Sequence, residues 1–155
     1  MSETIQDRLA KHGITLPEAS APLANYVPAK RHGNLLLTSG QLPLNEGKLA
    51  ATGILGADVD VPTGQEAAKW CALNILVQAN AALGSLETIA EIVKITIFVA
   101  SAPTFTEQHV VGNGASDFLV DILGDAGKHA RSAVGVPSLP MNAPVEIEAI
   151  IAVKD

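Results

Sequence analysis

Five polar residues could do chemistry together: Tyr26, Ser39, Asn113, Arg131 and Glu146, read here as standing at strand ends. Arg131 lies in "GKHARSAVGVPSLP", and no charge follows it in that stretch. A guanidinium is costly to bury unpaired, so Arg131 must meet solvent, a protein carboxylate or an anionic ligand. Glu146 begins the next predicted strand. If the two strands pair, both side chains can face one cleft. The planar fork of the arginine then suits a carboxylate, and the glutamate can take a proton from a water or hold that water in place. The plainer alternative is a structural Arg–Glu pair between strands or subunits.

Other chemistries find little support. There is no P-loop, no G-x-G-x-x-G and no G-x-S-x-G. His12, His32, His109 and His129 lack metal-ligand spacing, and with a single cysteine there is no paired-Cys site, so a structural metal is not expected. Cys71 falls in a helical pattern and reads as buried packing; it can form no intrachain disulfide. Ser39 has no histidine near it in sequence, which makes it a weak case for a lone nucleophile.

Composition narrows the class further. The 155 residues are enough for one domain with a real core. Hydrophobic residues make up 48% and aromatic residues only 3%, so Ala, Val, Ile and Leu must build that core. A net charge of -6 with scattered Lys and Arg, and few rings on which bases could stack, argues against nucleic acid as a partner. "MSETIQDRLAKHG" carries no apolar signal core, and no run approaches membrane-spanning length, so a cytoplasmic setting without membrane association is expected.

The elements that must position these residues follow from periodicity. Residues 1–22 read as an N-terminal extension holding a short helix with Ile5, Leu9 and Ile14 as its apolar stripe; residues 23–155 read as a single domain. "NYVPAKRHGNLLLTSGQ" predicts two strands around a His32-Gly33-Asn34 turn, and Asn45-Glu46-Gly47 a second turn. Thr63 to Glu66 matches a capping box that opens a helix ending at Gly84, with Ala68, Cys71, Ala72, Ile75, Ala79, Ala82 and Leu83 inward. "EIVKITIFVAS" predicts a strand with Val93, Ile95, Ile97 and Val99 on one side and Ile92, Lys94, Thr96 and Phe98 on the other. Phe98 and Phe118 are assigned to the core, and Trp70 is expected half-buried. Thr104 to Glu107 matches another capping box, opening a helix with Val111, Ala115, Phe118, Leu119 and Ile122 inward. Gly112 and Gly114 in that helix imply a bend or the close approach of another backbone. Two final strands start at His129 and Pro144, and His129 shares the parity of Arg131. The order predicts an α+β fold: a mixed sheet with two long helices on one face. The other face is also apolar and needs a partner, for which a second copy of the chain is the obvious source.

"NYVPAKRHGNLLLTSGQLP", "EIVKITIFVAS", "HARSAVGVPSLP" and "VEIEAIIAV", in this order from about Tyr26 to Val153, resemble the Rid family of reactive-intermediate deaminases, also called YjgF-like or L-PSP endoribonucleases. The resemblance implies a chorismate-mutase-like fold and a homotrimer with a central barrel-like core and pockets between subunits. It implies hydrolysis of small enamine or imine acids, such as 2-aminoacrylate, to 2-keto acids and ammonia without cofactor. Arg131 is similar to the residue that grips the substrate carboxylate, and Glu146 to the one that positions water. Ser39 and Gly40 fall where the family lines its pocket, and Tyr26 and Asn113 at its edge. The chain departs from the pattern at Ala133, where the deaminase branch has cysteine, at His129, where proline is usual, and at Ser116, where an aromatic is expected. These changes mark a divergent subgroup with Ala133 in its pocket, and with His129 either a pocket acid or base beside Arg131 or a solvated loop residue. Two other functions are compatible with the resemblance: a non-catalytic trimer that binds a small carboxylate, and the nuclease of the older family name.

Overall fold

The computed structural model describes residues 3–19 and 24–155. Seven strands and three α-helices follow in the order α1 (Ile5–Lys11), β1 (Ala29–His32), β2 (Leu35–Thr38), β3 (Leu44–Asn45), β4 (Lys48–Leu49), α2 (Val61–Leu83), β5 (Ile89–Ala100), α3 (Gln108–Leu123), β6 (Ala130–Val136) and β7 (Val145–Val153). Five strands form one sheet in the order β1-β2-β7-β5-β6. Its pairings are antiparallel except β5 with β6, which run parallel. The α+β architecture expected from the sequence is therefore present. The boundary placed at residues 22 and 23 lies outside the described residues.

Helices α2 and α3 cover one face of the sheet. In β7 the alternation is complete: Val145, Ile147, Ala149, Ile151 and Val153 are buried beneath the helices, while Glu146, Glu148, Ile150 and Ala152 point the other way. The inward residues of α3 are those its 3.6-residue period predicts. The outer face keeps Leu35, Leu37, Val93 and Val134 exposed. Phe98 is half-buried on that outer face, in register with Glu146, and so is not a core residue. Lys94 also lies on it, exposed and in register with Ile150.

Local signals decide the ends of elements. Gly33 and Gly47 take positive φ in the two predicted hairpin turns, and Gly84 ends α2 at φ +82. The caps differ from expectation. Helix α2 begins at Val61 because the Asp60 carboxylate accepts the Thr63 N–H at 2.9 Å, so Thr63 sits in the first turn and Pro62 fits beside it. Ala82, expected inward, is exposed near the far end. The Thr104 box does not form: α3 starts after Glu107 without a side-chain cap, and the Gln108 amide instead donates to the Phe105 carbonyl. In β5 a bulge between Ile92 and Lys94 resets the alternation, burying Ile92 with Ile95 and leaving Val93 exposed.

The short α1 has its own capping box, Thr4 with Asp7. Its Leu9 is fully buried in the common core. Arg8 donates to the Ile122 carbonyl, and Glu87 accepts the Ile5 N–H at 2.7 Å. The helix thus packs at the C-terminal end of α3.

The two helical glycines have separate reasons. A Cβ on Gly114 would overlap the main chain of Gln65 in α2, so this glycine sets the closeness of the two helices. Gly112 faces the sheet instead. A Cβ there would come within 2.7 Å of Ile97 Cδ1 and 3.1 Å of Arg131 Nη1. Gly114→Ala gains about 1 kcal/mol of helix propensity but must push apart a rigid backbone contact. A net loss of about 1–3 kcal/mol is expected, read as a lower urea midpoint at unchanged slope.

Candidate functional site

Arg131 is in register with Ile95, so its side chain leaves the sheet on the side of α3. Gly112 leaves room for the guanidinium against that helix. Nη1 donates to Ser116 Oγ at 3.0 Å and Nη2 to the His109 carbonyl at 3.0 Å. Both partners are neutral. The ion pairs among the described residues join Glu3 with Arg8 and Lys11, and Asp125 with Lys128; none includes Arg131. The half-buried arginine therefore keeps its full charge and has donors left over.

His129 stands on the same side. Its Nε2 lies 2.9 Å from Ser116 Oγ, and its Nδ1 meets the Gly127 carbonyl. A carbonyl only accepts, so Nδ1 carries hydrogen. Asn113, Ser116, Val120, Lys128, His129 and Arg131 line an open cleft of about 290 Å³. Asn113 belongs to α3 and is not at a strand end. Ala133, two residues beyond Arg131 on the same side of β6, is half-buried against the core in register with Ile97.

Glu146 lies elsewhere. Strand β5 runs between β6 and β7, so the strands of Arg131 and Glu146 do not pair. Glu146 is in register with Phe98 on the outer face, opposite the face that carries Arg131. The one cleft that direct pairing would have made within the chain is thus absent. Gly40 packs against the Glu146 carboxylate so closely that a Cβ at position 40 would overlap it. Gln41 and Ile147 exchange backbone hydrogen bonds beside it, at 2.8 and 3.1 Å, which fixes this approach. Ser39 precedes Gly40 and donates its hydroxyl to the Val27 carbonyl at 2.7 Å, so it is engaged in holding the loop. Tyr26 is 58% exposed. Two half-sites result: Arg131 with Asn113, Ser116 and His129 on one face, and Glu146 with Ser39 and Gly40 on the other.

Burial pushes the Glu146 carboxyl above its ordinary 4.5, and the nearby Glu148 adds to the shift. Cys71 is fully buried, with Sγ at 3.5 Å from the Val145 carbonyl; burial first, then the charge of Glu146, raises its thiol well above the usual range. It is a packing residue. No cluster of three or more His, Cys, Asp or Glu among the described residues could hold a metal, and no described helix is long and apolar enough to cross a membrane. A larger, mainly apolar cleft of about 600 Å³, between Ile54, Phe105, Gln108 and Pro137, contains none of the predicted site residues.

Sequence reasoning missed Ser116 as the partner of Arg131. The available signal was spacing: Asn113 and Ser116 are three apart on α3 and share a helix face.

A family model described as "YjgF/chorismate mutase-like, putative endoribonuclease" matches residues 6–151. The chain is 46% identical over 151 residues to Protein TCP17 of Trypanosoma cruzi, spanning 97% of this chain and 94% of that one. It is 32% identical over 137 residues to 2-iminobutanoate/2-iminopropanoate deaminase of Escherichia coli (strain K12), spanning 88% and 94%. Among solved structures, Atu1372 of Agrobacterium tumefaciens, described as of unknown function, is similar with a TM-score of 0.92 at 54% identity, over 97% of this chain and 92% of that one.

The raised Glu146 carboxyl has a consequence for stability. The unfolded chain ionises at lower pH than the folded one, so this group's contribution falls as pH rises through its titration. Glu146→Gln should therefore match or exceed wild type in urea denaturation at about pH 7, with the advantage vanishing at about pH 4, where both states hold the proton.

Proposed function

The chain belongs to the YjgF/chorismate mutase-like family, and on that premise we propose that it hydrolyses small 2-imino or enamine acids to 2-keto acids and ammonia, at a pocket formed between copies of the chain. The observation that carries this reading is Arg131: a half-buried guanidinium fixed by a hydroxyl and a carbonyl, with no carboxylate partner among the described residues. The name of the Escherichia coli relative, a deaminase of 2-imino acids, supports the same substrate class.

The proposed division of labour follows from the two half-sites. Arg131 of one copy holds the substrate carboxylate through its remaining N–H groups. Glu146, with Ser39 and Gly40, comes from a neighbouring copy in a trimer, whose outer sheet faces pack together around a central barrel-like core. Tyr26 stands at the pocket edge. Glu146 holds a water and accepts its proton as the oxygen adds to the C=N carbon. An enamine reacts as its imine tautomer. Glu146 returns the proton taken from water to the nitrogen to give the carbinolamine; the carbinolamine hydroxyl then gives up its proton as the amine takes one up, and the C–N bond breaks to give 2-keto acid and ammonia. Burial makes Glu146 a stronger base than a solvated glutamate. Fixing acid and water in one geometry supplies the rest of the acceleration.

Freshly generated 2-aminoacrylate is the test substrate. Wild type should release ammonia faster than buffer. Arg131→Ala should lose about 100-fold or more in kcat/KM, the scale of two charge-assisted hydrogen bonds. If wild type binds a 2-keto acid yet leaves ammonia release at the buffer rate, the chain is a carboxylate-binding protein.

The assembly can be tested separately. Leu37 is 41% exposed on the outer face. Sedimentation velocity should give three times the 16.0 kDa chain mass for wild type. Leu37→Asp should give monomers that keep their circular dichroism and lose activity.

A further inference from the structure

Ser116 occupies a position that Arg131 and His129 share, and its hydrogen-bond accounting has only two solutions. The hydroxyl has one hydrogen and two lone pairs. One lone pair accepts from Arg131 Nη1 at 3.0 Å. The Nδ1–H of His129 is committed to the Gly127 carbonyl. When the imidazole is neutral, Nε2 must accept, so it takes the Ser116 hydrogen across 2.9 Å. The hydroxyl then presents only a lone pair to the cleft. When the imidazole is protonated, Nε2 donates as well, and Ser116 accepts from both neighbours. Its own hydrogen is then free to turn toward the cleft lined by Asn113, Lys128 and Arg131.

We infer that Ser116 is a binding residue for the anion held by Arg131, and that His129 sets the direction of its hydroxyl, so that anion binding is coupled to protonation of His129. The inference rests on the reading of Arg131 as a carboxylate anchor. A carboxylate arriving beside Arg131 meets a lone pair of Ser116 when His129 is neutral, and an O–H donor when His129 is protonated. The second arrangement is favoured by a charge-assisted hydrogen bond and by the attraction of the imidazolium itself. The other charges on the surrounding elements do not replace this link. Lys128 and Asp125, on the stretch leading to His129, pair with each other at 3.0 Å. Asp117 and Asp121 of α3 are exposed, and Lys94 of β5 is exposed on the opposite face of the sheet. His109 contributes its carbonyl to Arg131 from the first turn of α3.

Pyruvate, a stable 2-keto acid, is the probe, titrated calorimetrically into the full chain across about pH 5.5 to 8, the window in which imidazoles change charge. For wild type, Kd should be flat at the acid end and weaken by up to about tenfold per pH unit above it, with proton uptake seen as a dependence on buffer ionisation heat. His129→Gln should remove the slope. Ser116→Ala should weaken binding several-fold at low pH and lose most of the slope, and Ser116→Thr, which restores a hydroxyl, should recover it. If Ser116→Ala keeps the wild-type slope, or if wild type shows none, the coupling through the hydroxyl is wrong while Arg131 keeps its role. If pyruvate does not bind wild type, or binds Arg131→Ala equally well, the anchor reading falls and this inference falls with it.

Discussion

A sheet has two faces, and this chain has long helices for only one. That constraint orders the rest of the structure. Helices α2 and α3 bury the odd-numbered residues of β7 and most of the inward residues of β5. The opposite face is left with Leu35, Leu37, Val93 and Val134 exposed to water. The polar residues are divided by the same boundary. Arg131 is directed to the helix side, where Ser116 and a carbonyl orient it, and Glu146 to the open side, where the main chain at Gly40 presses against it. A sheet five strands wide and closed by helices on one side cannot bring these two groups together within one chain.

Much of this is legible in the sequence. The alternation in β7 and the helical period of α3 are dense, regular signals, and each residue in them reports the same face. Turn glycines are equally legible, since Gly33, Gly47 and Gly84 adopt positive φ where punctuation was expected. The parts that were not legible share a physical cause: each depends on one contact and not on a pattern. Asp60 displaces Thr63 as the cap of α2 by a single hydrogen bond. One inserted residue in β5 inverts the assignment of Val93 and Ile92. Strand neighbours are not written in chain order, so the sequence adjacency of β6 and β7 concealed that β5 lies between them. Ser116 stands out in the sequence only as a departure from the family pattern; its pairing with Arg131 is not legible there, because a lone serine in an amphipathic helix has many solvated explanations.

The electrostatic character of Arg131 follows from the identity of its partners. Neutral acceptors orient a guanidinium without cancelling it. The chain as a whole is acidic at -6, yet Arg131 brings a positive charge without a carboxylate partner among the described residues to this cleft. A carboxylate residue within reach would have given a tighter closed pair and no vacancy for an anion. Serine and a main-chain carbonyl hold the side chain in one orientation and leave its attraction for something from outside.

Gly112 joins two requirements that are usually separable. It lies in α3 with Ile97 of the core on one side of its missing side chain and the Arg131 guanidinium on the other. Any larger residue would have to shift Ile97 Cδ1, the nearer contact at 2.7 Å, and would crowd the guanidinium at 3.1 Å; both are ends of flexible side chains that can yield without unfolding the helix. In a survey of every substitution along the chain, position 112 would therefore show an unusual profile. Folded protein would still accumulate for small replacements, while the anion binding proposed at Arg131 would already weaken. Tolerance measured by abundance and tolerance measured by activity would part company at a residue that contributes no atoms to either task.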